Sequence, residues 1–193
     1  MQLFNTQEKQ IFIGNVLFIV CCGFYLAWWL LAFKPSGAVS GLKSGWLLIP
    51  AGVAGLSGTV LAVRGIITEP PAVQLISGRH ILLYGIAAYL ILTLITALPL
   101  KRPVTSELFL IVGWGMLAFA QANLLFGTGL FTRGLSIGFL LVIGAAIAIS
   151  LVCYVLYYRL DIRAAYIDGM VPLLLAALVM AGISVFMLML VSD

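Results

Sequence analysis

Six long apolar runs constrain this chain more than any other feature of its sequence. A helix crosses the hydrocarbon core of a bilayer in about 20 residues, at a rise of about 1.5 Å each. The runs span residues 11–33, 45–63, 81–100, 108–130, 135–158 and 170–191. All Lys, Arg, Asp and Glu residues lie outside them, as expected where burying a charge in lipid is costly. The sequence therefore predicts six transmembrane helices.

The composition supports a bilayer as the surrounding solvent. Of 193 residues, 64% are hydrophobic and 8% are charged, whereas about a quarter of a soluble domain is charged. The runs are continuous rather than alternating, which excludes a transmembrane β-barrel, while helices satisfy their own backbone hydrogen bonds. We predict an all-α integral membrane protein, with residues 1–193 forming one polytopic bundle in a bacterial plasma (inner) membrane.

The charged loops give a small bias in orientation. Six spans place both termini on one side of the membrane, together with Lys9, Arg64, Arg79 and Arg133. The opposite side carries Lys34, Lys43, Lys101, Arg102, Arg159 and Arg163. The positive-inside rule favours the larger set as cytoplasmic, with both termini outside.

Aromatic residues gather near the predicted ends of the spans. Trp28 and Trp29 precede Lys34, and Trp46 opens the second run. Amphipathic rings favour the level of the lipid headgroups, so we interpret these residues as interfacial anchors.

Two internal similarities compete. The segments GWLLIPAGVAG (45–55), GWGMLAFAQAN (113–123) and GMVPLLLAALV (169–179) favour three helical hairpins in one orientation. By contrast, GLKSGWLLI (41–49) resembles GLSIGFLLV (134–142), which favours a 3+3 inverted repeat as in many transporters. The first pattern is slightly preferred, and both are kept open.

Polar side chains at membrane depth are the nearest approach to a functional motif. Gln121 and Asn123 lie in the fourth run and Asn15 in the first. On a helix Gln121 and Asn123 are separated by about 200°, so they cannot serve one pocket from one face. Each amide either lines a path for a solute or hydrogen-bonds to a neighbouring helix. Asn15 lies near the start of its run and could also sit at the interface.

Small residues at a spacing of four predict close helix packing. The pairs are Ala51 and Gly55, Gly144 and Ala148, and Ala177 and Ala181. Helices in lipid gain little hydrophobic energy by associating, so close approach of their backbones must hold the bundle together.

The sequence offers few residues that could act together in catalysis. The spans contain no carboxylate for acid–base chemistry, and the one histidine, His80, cannot form a two-histidine metal site within one chain. The three cysteines include no C-x-x-C pair. The scattered cations form no basic face for nucleic acid. We predict a non-enzymatic protein without cofactor, metal or nucleic-acid partner.

The size and the number of spans resemble several groups of small bacterial membrane proteins. These include the substrate-binding subunits of modular vitamin transporters and the HdeD-like acid-stress proteins. The resemblance covers only the layout of the spans and transfers no residue. We expect a transporter, channel or substrate-binding subunit for a small neutral or weakly polar solute. The alternative is a non-catalytic accessory subunit or membrane-stress protein, whose partners would be lipids, further copies of the chain or another membrane protein.

Overall fold

The computed structural model describes residues 4–32, 44–68, 73–98 and 106–192. Within these ranges the chain is helical and contains no β-strand. The α-helices are α1 (Thr6–Ala32), α2 (Leu48–Ile67), α3 (Gly78–Ala97), α4 (Ser106–Gly127), α5 (Arg133–Leu156), α6 (Ile162–Asp168) and α7 (Val171–Ser192). A 3₁₀ turn over Ser44–Leu47 precedes α2, and another over Tyr157–Arg159 follows α5.

Six helices in the described ranges are long and apolar enough to span a membrane. This confirms the predicted all-α class and indicates an integral membrane protein. Each of the six apolar runs overlaps one long helix, and the short α6 leads into α7. Neither proposed repeat is tested by this arrangement. Of the six cations on the side opposite the termini, four lie outside the described residues: Lys34, Lys43, Lys101 and Arg102.

The first helix begins with a reciprocal cap. The backbone N–H of Glu8 donates to Oδ1 of Asn5 at 2.8 Å, and the N–H of Asn5 donates to Oε2 of Glu8 at 2.9 Å. This capping box satisfies donors that the first helical turn leaves without a partner. Glu8 is buried although it is acidic, and the cap gives its carboxylate a partner at that depth.

Two glycines bring α1 and α2 into backbone contact. A methyl group on Gly14 would lie 2.9 Å from the carbonyl oxygen of Gly58, and one on Gly58 would lie 2.8 Å from the carbonyl oxygen of Gly14. Both distances are shorter than a carbon atom tolerates, so the helices cross where neither has a side chain. The hairpin of α1 and α2 is held by this close approach.

The face of α2 that packs on α1 consists of small residues. Its buried positions follow a helical spacing and are Ala51, Ala54, Gly58, Ala62 and Gly65. Since α1 and α2 pack closely along most of their length, this face replaces the large apolar side chains that a soluble hairpin would bury.

The fourth helix is the centre of the bundle. It is the most buried of the six long helices and packs against α2, α3, α5 and α7, while α1 packs against α2 and α7. The third helix packs mainly against α4, where the side chain of Met116 fills the space beside Gly85. The core therefore lies between α1, α4, α5 and α7.

Helix α6 is fastened to the end of α1. The indole N–H of Trp29 donates to the carbonyl oxygen of Tyr166 at 3.1 Å, and the indole ring packs against Gly169. Trp29 is only 8% exposed, so this residue joins two helices as well as marking the end of a span. Asp161 is the N-cap of α6: its carboxylate accepts from the backbone N–H of Arg163 at 3.3 Å.

Candidate functional site

All three amides singled out from the sequence are buried. The exposed fraction is 1% for Asn15, 0% for Gln121 and 4% for Asn123. None of them lies at the lipid-facing surface, and Asn15 does not lie exposed at the interface. Their hydrogen bonds separate them into two kinds.

Asn123 fastens the segment that precedes α3. Its Oδ1 accepts from the backbone N–H groups of Leu75 at 2.8 Å and Ile76 at 3.0 Å. Its Nδ2 donates to the carbonyl oxygen of Ile76 at 2.7 Å. The amide thereby pairs backbone groups of residues 73–77 that no helix satisfies, which buried backbone requires. We assign Asn123 to this fastening rather than to a site for a solute.

Gln121 has no hydrogen-bond partner for either end of its amide. Both Oε1 and Nε2 are buried and unpaired. Its neighbours one turn away on either side belong to the main hydrophobic core or pack against it; they are Leu117, Ala118, Leu124 and Leu125. An amide buried among such residues costs about 1–3 kcal/mol while its groups remain unpaired.

Asn15 on α1 is likewise buried without a hydrogen-bond partner. Both Oδ1 and Nδ2 are buried and unpaired. Its neighbours at helical spacing belong to or pack against the same core as those of Gln121; they are Ile11, Phe12, Phe18, Ile19 and Cys22. The adjacent Gly14 faces α2, which leaves Asn15 beside the crossing of α1 and α2.

The two unpaired amides occupy similar depths in the bundle. Successive spanning helices alternate in direction, so α1 begins and α4 ends on one side, which we call the N-terminal face. Asn15 lies four residues from the middle of Thr6–Ala32, and Gln121 lies four to five from the middle of Ser106–Gly127. At a rise of about 1.5 Å per residue, both lie about 6–7 Å from mid-helix toward the N-terminal face.

Two further polar groups in the same core were missed by reasoning from the sequence. Trp114 Nε1 and Ser136 Oγ are buried and unpaired. Trp114 is a member of the core, and Ser136 is flanked by its members Phe139 and Ile143. Trp114 precedes Gln121 by seven residues and so shares its face of α4, a spacing that could have identified it.

The opposite end of the core is more apolar, although the Ser150 hydroxyl and the Oδ2 atom of Asp168 are buried toward that end. Toward the face where α1 ends, its side chains are Cys22, Leu173 and Ala176. A separate surface groove on α5 is lined by Leu151, Val152, Val155 and Leu156 and is entirely apolar. The unpaired polar groups of the core are thus concentrated in its middle and its N-terminal half.

The predicted small-residue pairs differ in their surroundings. Ala51 is buried against α1, and a methyl group on Gly55 would lie 2.9 Å from Sγ of Cys21. On α7, Ala177 and Ala181 are half-buried. On α5, a methyl group on Gly144 would meet nothing within 4 Å, and Ala148 is exposed, so this pair faces outward.

Within the described residues, no three His, Cys, Asp or Glu side chains approach closely enough to hold a metal ion. Comparison of the chain with known proteins finds no matching family model, no similar curated protein and no similar solved structure.

Proposed function

We propose that this protein binds a small, uncharged, polar solute inside its helix bundle and carries it across the membrane, with the bacterial inner membrane as the predicted location. The observation that carries the proposal is the complete burial of Gln121 without a partner for either end of its amide. Buried side-chain amides in proteins are normally hydrogen-bonded, so an unpaired one in an apolar core points to a guest molecule.

The chemistry of the spans supports an uncharged solute. The six apolar runs contain no Lys, Arg, Asp or Glu, so no ion pair within them could compensate a buried charge. The same composition disfavours coupling to protons or sodium through a membrane carboxylate. We therefore favour passage of the solute without coupling to an ion, or a role of this chain as the substrate-binding subunit of a transporter.

The asymmetry of the core supports a binding site over a permanently open pore. Polar groups extend from Trp114 to Ser136 in the middle and N-terminal half, whereas Cys22, Leu173 and Ala176 occupy the other end. A solute would have to pass this apolar end through a conformational change.

The substitution Gln121→Leu tests the proposal. Because Gln121 makes no hydrogen bond to the protein, leucine removes an unpaired amide and loses no hydrogen bond, so thermal stability should stay constant or rise. Uptake of glycerol and urea into proteoliposomes, followed by stopped-flow light scattering, should fall. A suitable control is Ser184→Ala, because the Ser184 hydroxyl is buried but donates to the Met180 carbonyl oxygen of its own helix at 2.8 Å. Unchanged uptake with lower stability would show that the amide holds helices together.

A second candidate is a non-catalytic accessory subunit. The outward-facing pair Gly144 and Ala148 on α5 has the spacing at which a helix of another chain can approach closely. Purification in mild detergent separates the candidates. A stable stoichiometric partner favours the accessory role, whereas a monomer or a symmetric homo-oligomer favours the solute site.

A further inference from the structure

We propose that the end of α5 binds an anionic phospholipid, with the lipid phosphate against Arg159 and Arg163 and one acyl chain in the apolar groove on α5. The groove has a volume of about 260 Å³ and is lined by Leu151, Val152, Val155 and Leu156. Both arginines are exposed and follow it in the chain. This site is on the outer surface of the bundle and is independent of the solute site in the core.

The groove and the first arginine share one face of α5. Residues three and four apart on a helix are neighbours, so Arg159 lies one turn beyond Val155. Val152 and Leu156 are 56% and 40% exposed, so the groove opens toward the surrounding lipid. It begins at Leu151, about 12 Å from Arg159 along the helix axis. An acyl chain in the groove would therefore place its own headgroup beside the Arg159 guanidinium.

Aromatic side chains mark the depth at which the arginines lie. The rings of Trp29 and Tyr157 have their centroids 6.1 Å apart, and Arg159 is two residues beyond Tyr157. Such rings favour the level of the lipid headgroups. Trp29 also donates to the carbonyl oxygen of Tyr166, which holds α6, and with it Arg163, at the same level. Both guanidinium groups are thus within the layer that contains the lipid phosphates.

The charges near the two arginines leave their guanidinium groups available to a phosphate. Neither Arg159 nor Arg163 forms an ion pair with another described residue. The carboxylate of Asp161 is exposed, and it accepts from the backbone N–H of Arg163 as the cap of α6. Asp168 lies about 140° around α6 from Arg163, and its Oδ2 is buried. Arginine suits this ligand because its planar group can pair with two phosphate oxygens at once.

Exposed isoleucines on α6 indicate that this segment lies against lipid. Ile162 is 72% exposed and Ile167 is 60% exposed, and both lie within about 140° of the helix surface that also carries Arg163. Large apolar side chains beside a basic one are typical of helices that lie in the membrane interface. Acyl chains would cover the isoleucines while the arginine reaches a phosphate.

Native mass spectrometry of the full chain, freed of bound lipid in detergent, tests the site with dioleoyl phosphatidylglycerol and dioleoyl phosphatidylcholine. The acyl chains are the same, but only phosphatidylglycerol carries a net negative charge, so we expect it to bind more tightly. Arg159→Gln and Arg163→Gln should each weaken its binding roughly 5-fold and leave phosphatidylcholine unchanged. The matched control is Arg133→Gln at the opposite end of α5, where the side chain is also exposed; it should bind as the wild type.

The groove is tested separately. Val152→Trp fills it and should weaken the binding of both lipids, whereas Leu141→Trp, at a position 70% exposed on the same helix, should weaken neither. Thermal unfolding midpoints establish that each variant is folded, and Val152→Phe replaces the tryptophan variant if that one is not.

Three results would overturn the proposal. The first is equal binding of the two lipids by the wild type. The second is a loss of phosphatidylglycerol binding in Arg133→Gln as large as in Arg159→Gln and Arg163→Gln, or no loss in any of them. The third is displacement of phosphatidylglycerol by an equal concentration of inorganic phosphate, because the groove would then contribute nothing to binding.

Discussion

Replacing Asn123 with leucine should release the segment before α3 while leaving the six long helices in place. The side chain makes three hydrogen bonds to the backbone of Leu75 and Ile76, at 2.7 to 3.0 Å. Leucine has a similar size and cannot make any of them. The three backbone groups would then depend on water, to which they have partial access because Leu75 and Ile76 are half-buried.

The expected cost follows from the number of bonds. A hydrogen bond in a membrane protein contributes on average about 0.6 kcal/mol, and one in a soluble protein about 0.5–1.5 kcal/mol. Three bonds give about 2–4 kcal/mol. Since each 1.4 kcal/mol is a factor of ten, local opening of residues 73–77 should become roughly 30- to 1,000-fold more frequent.

Hydrogen exchange followed by mass spectrometry measures this opening directly. Peptides covering residues 73–77 should exchange faster in Asn123→Leu by that factor, with little change in α4. Gln121→Leu is the matched control, because it lies two residues away on the same helix and has no bond to lose. Asn123→Asp keeps the acceptor but loses the donor to Ile76, so its exchange should be intermediate. Equal exchange in Asn123→Leu and the wild type would refute the assigned role.

Three other substitutions test the packing of the fold. Gly58→Ala should lower the unfolding free energy by about 1–3 kcal/mol in a detergent titration, because its methyl group would force α1 away. Gly52→Ala on the same helix is the control: its methyl group meets nothing within 4 Å, so the unfolding free energy should not change. Equal effects of the two substitutions would contradict the close crossing. Trp29→Phe should free α6 from the end of α1, because it removes the hydrogen bond to the Tyr166 carbonyl oxygen. We expect faster proteolysis of the segment between α5 and α7, and an unchanged cleavage rate would argue against this fastening. Asn5→Ala should cost about 1 kcal/mol by removing the cap of α1, measured by thermal unfolding, and an unchanged midpoint would show that the cap carries no stability.

The long helices were predictable because the bilayer imposes its thickness on every span. Continuous apolar runs without charge were sufficient to identify the six helices, since no long-range contact is needed to form them. The crossing of α1 and α2 was not predictable to the same degree. Ala51 and Gly55 marked the correct face of α2, but the closest contact is at Gly14 and Gly58, whose pairing depends on the register between two helices.

The polar residues show more clearly that contacts between distant parts of the chain cannot be predicted from the sequence pattern. Their rarity in apolar runs identified Asn15, Gln121 and Asn123 as unusual, yet it could not separate their roles. Asn123 bonds to backbone 47 and 48 residues earlier in the chain, a contact that no local pattern encodes. Trp29 was interpreted as an interfacial anchor from its position near Lys34, whereas its partner is the distant carbonyl of Tyr166.

A crystal structure of the protein grown from a lipid phase, at a resolution that shows ordered water, tests the central claim most directly. We predict density for water or a bound solute at about 2.7–3.2 Å from the amide of Gln121. A dry core in which Gln121 is hydrogen-bonded to a protein group would contradict the claim and identify the amide as a link between helices.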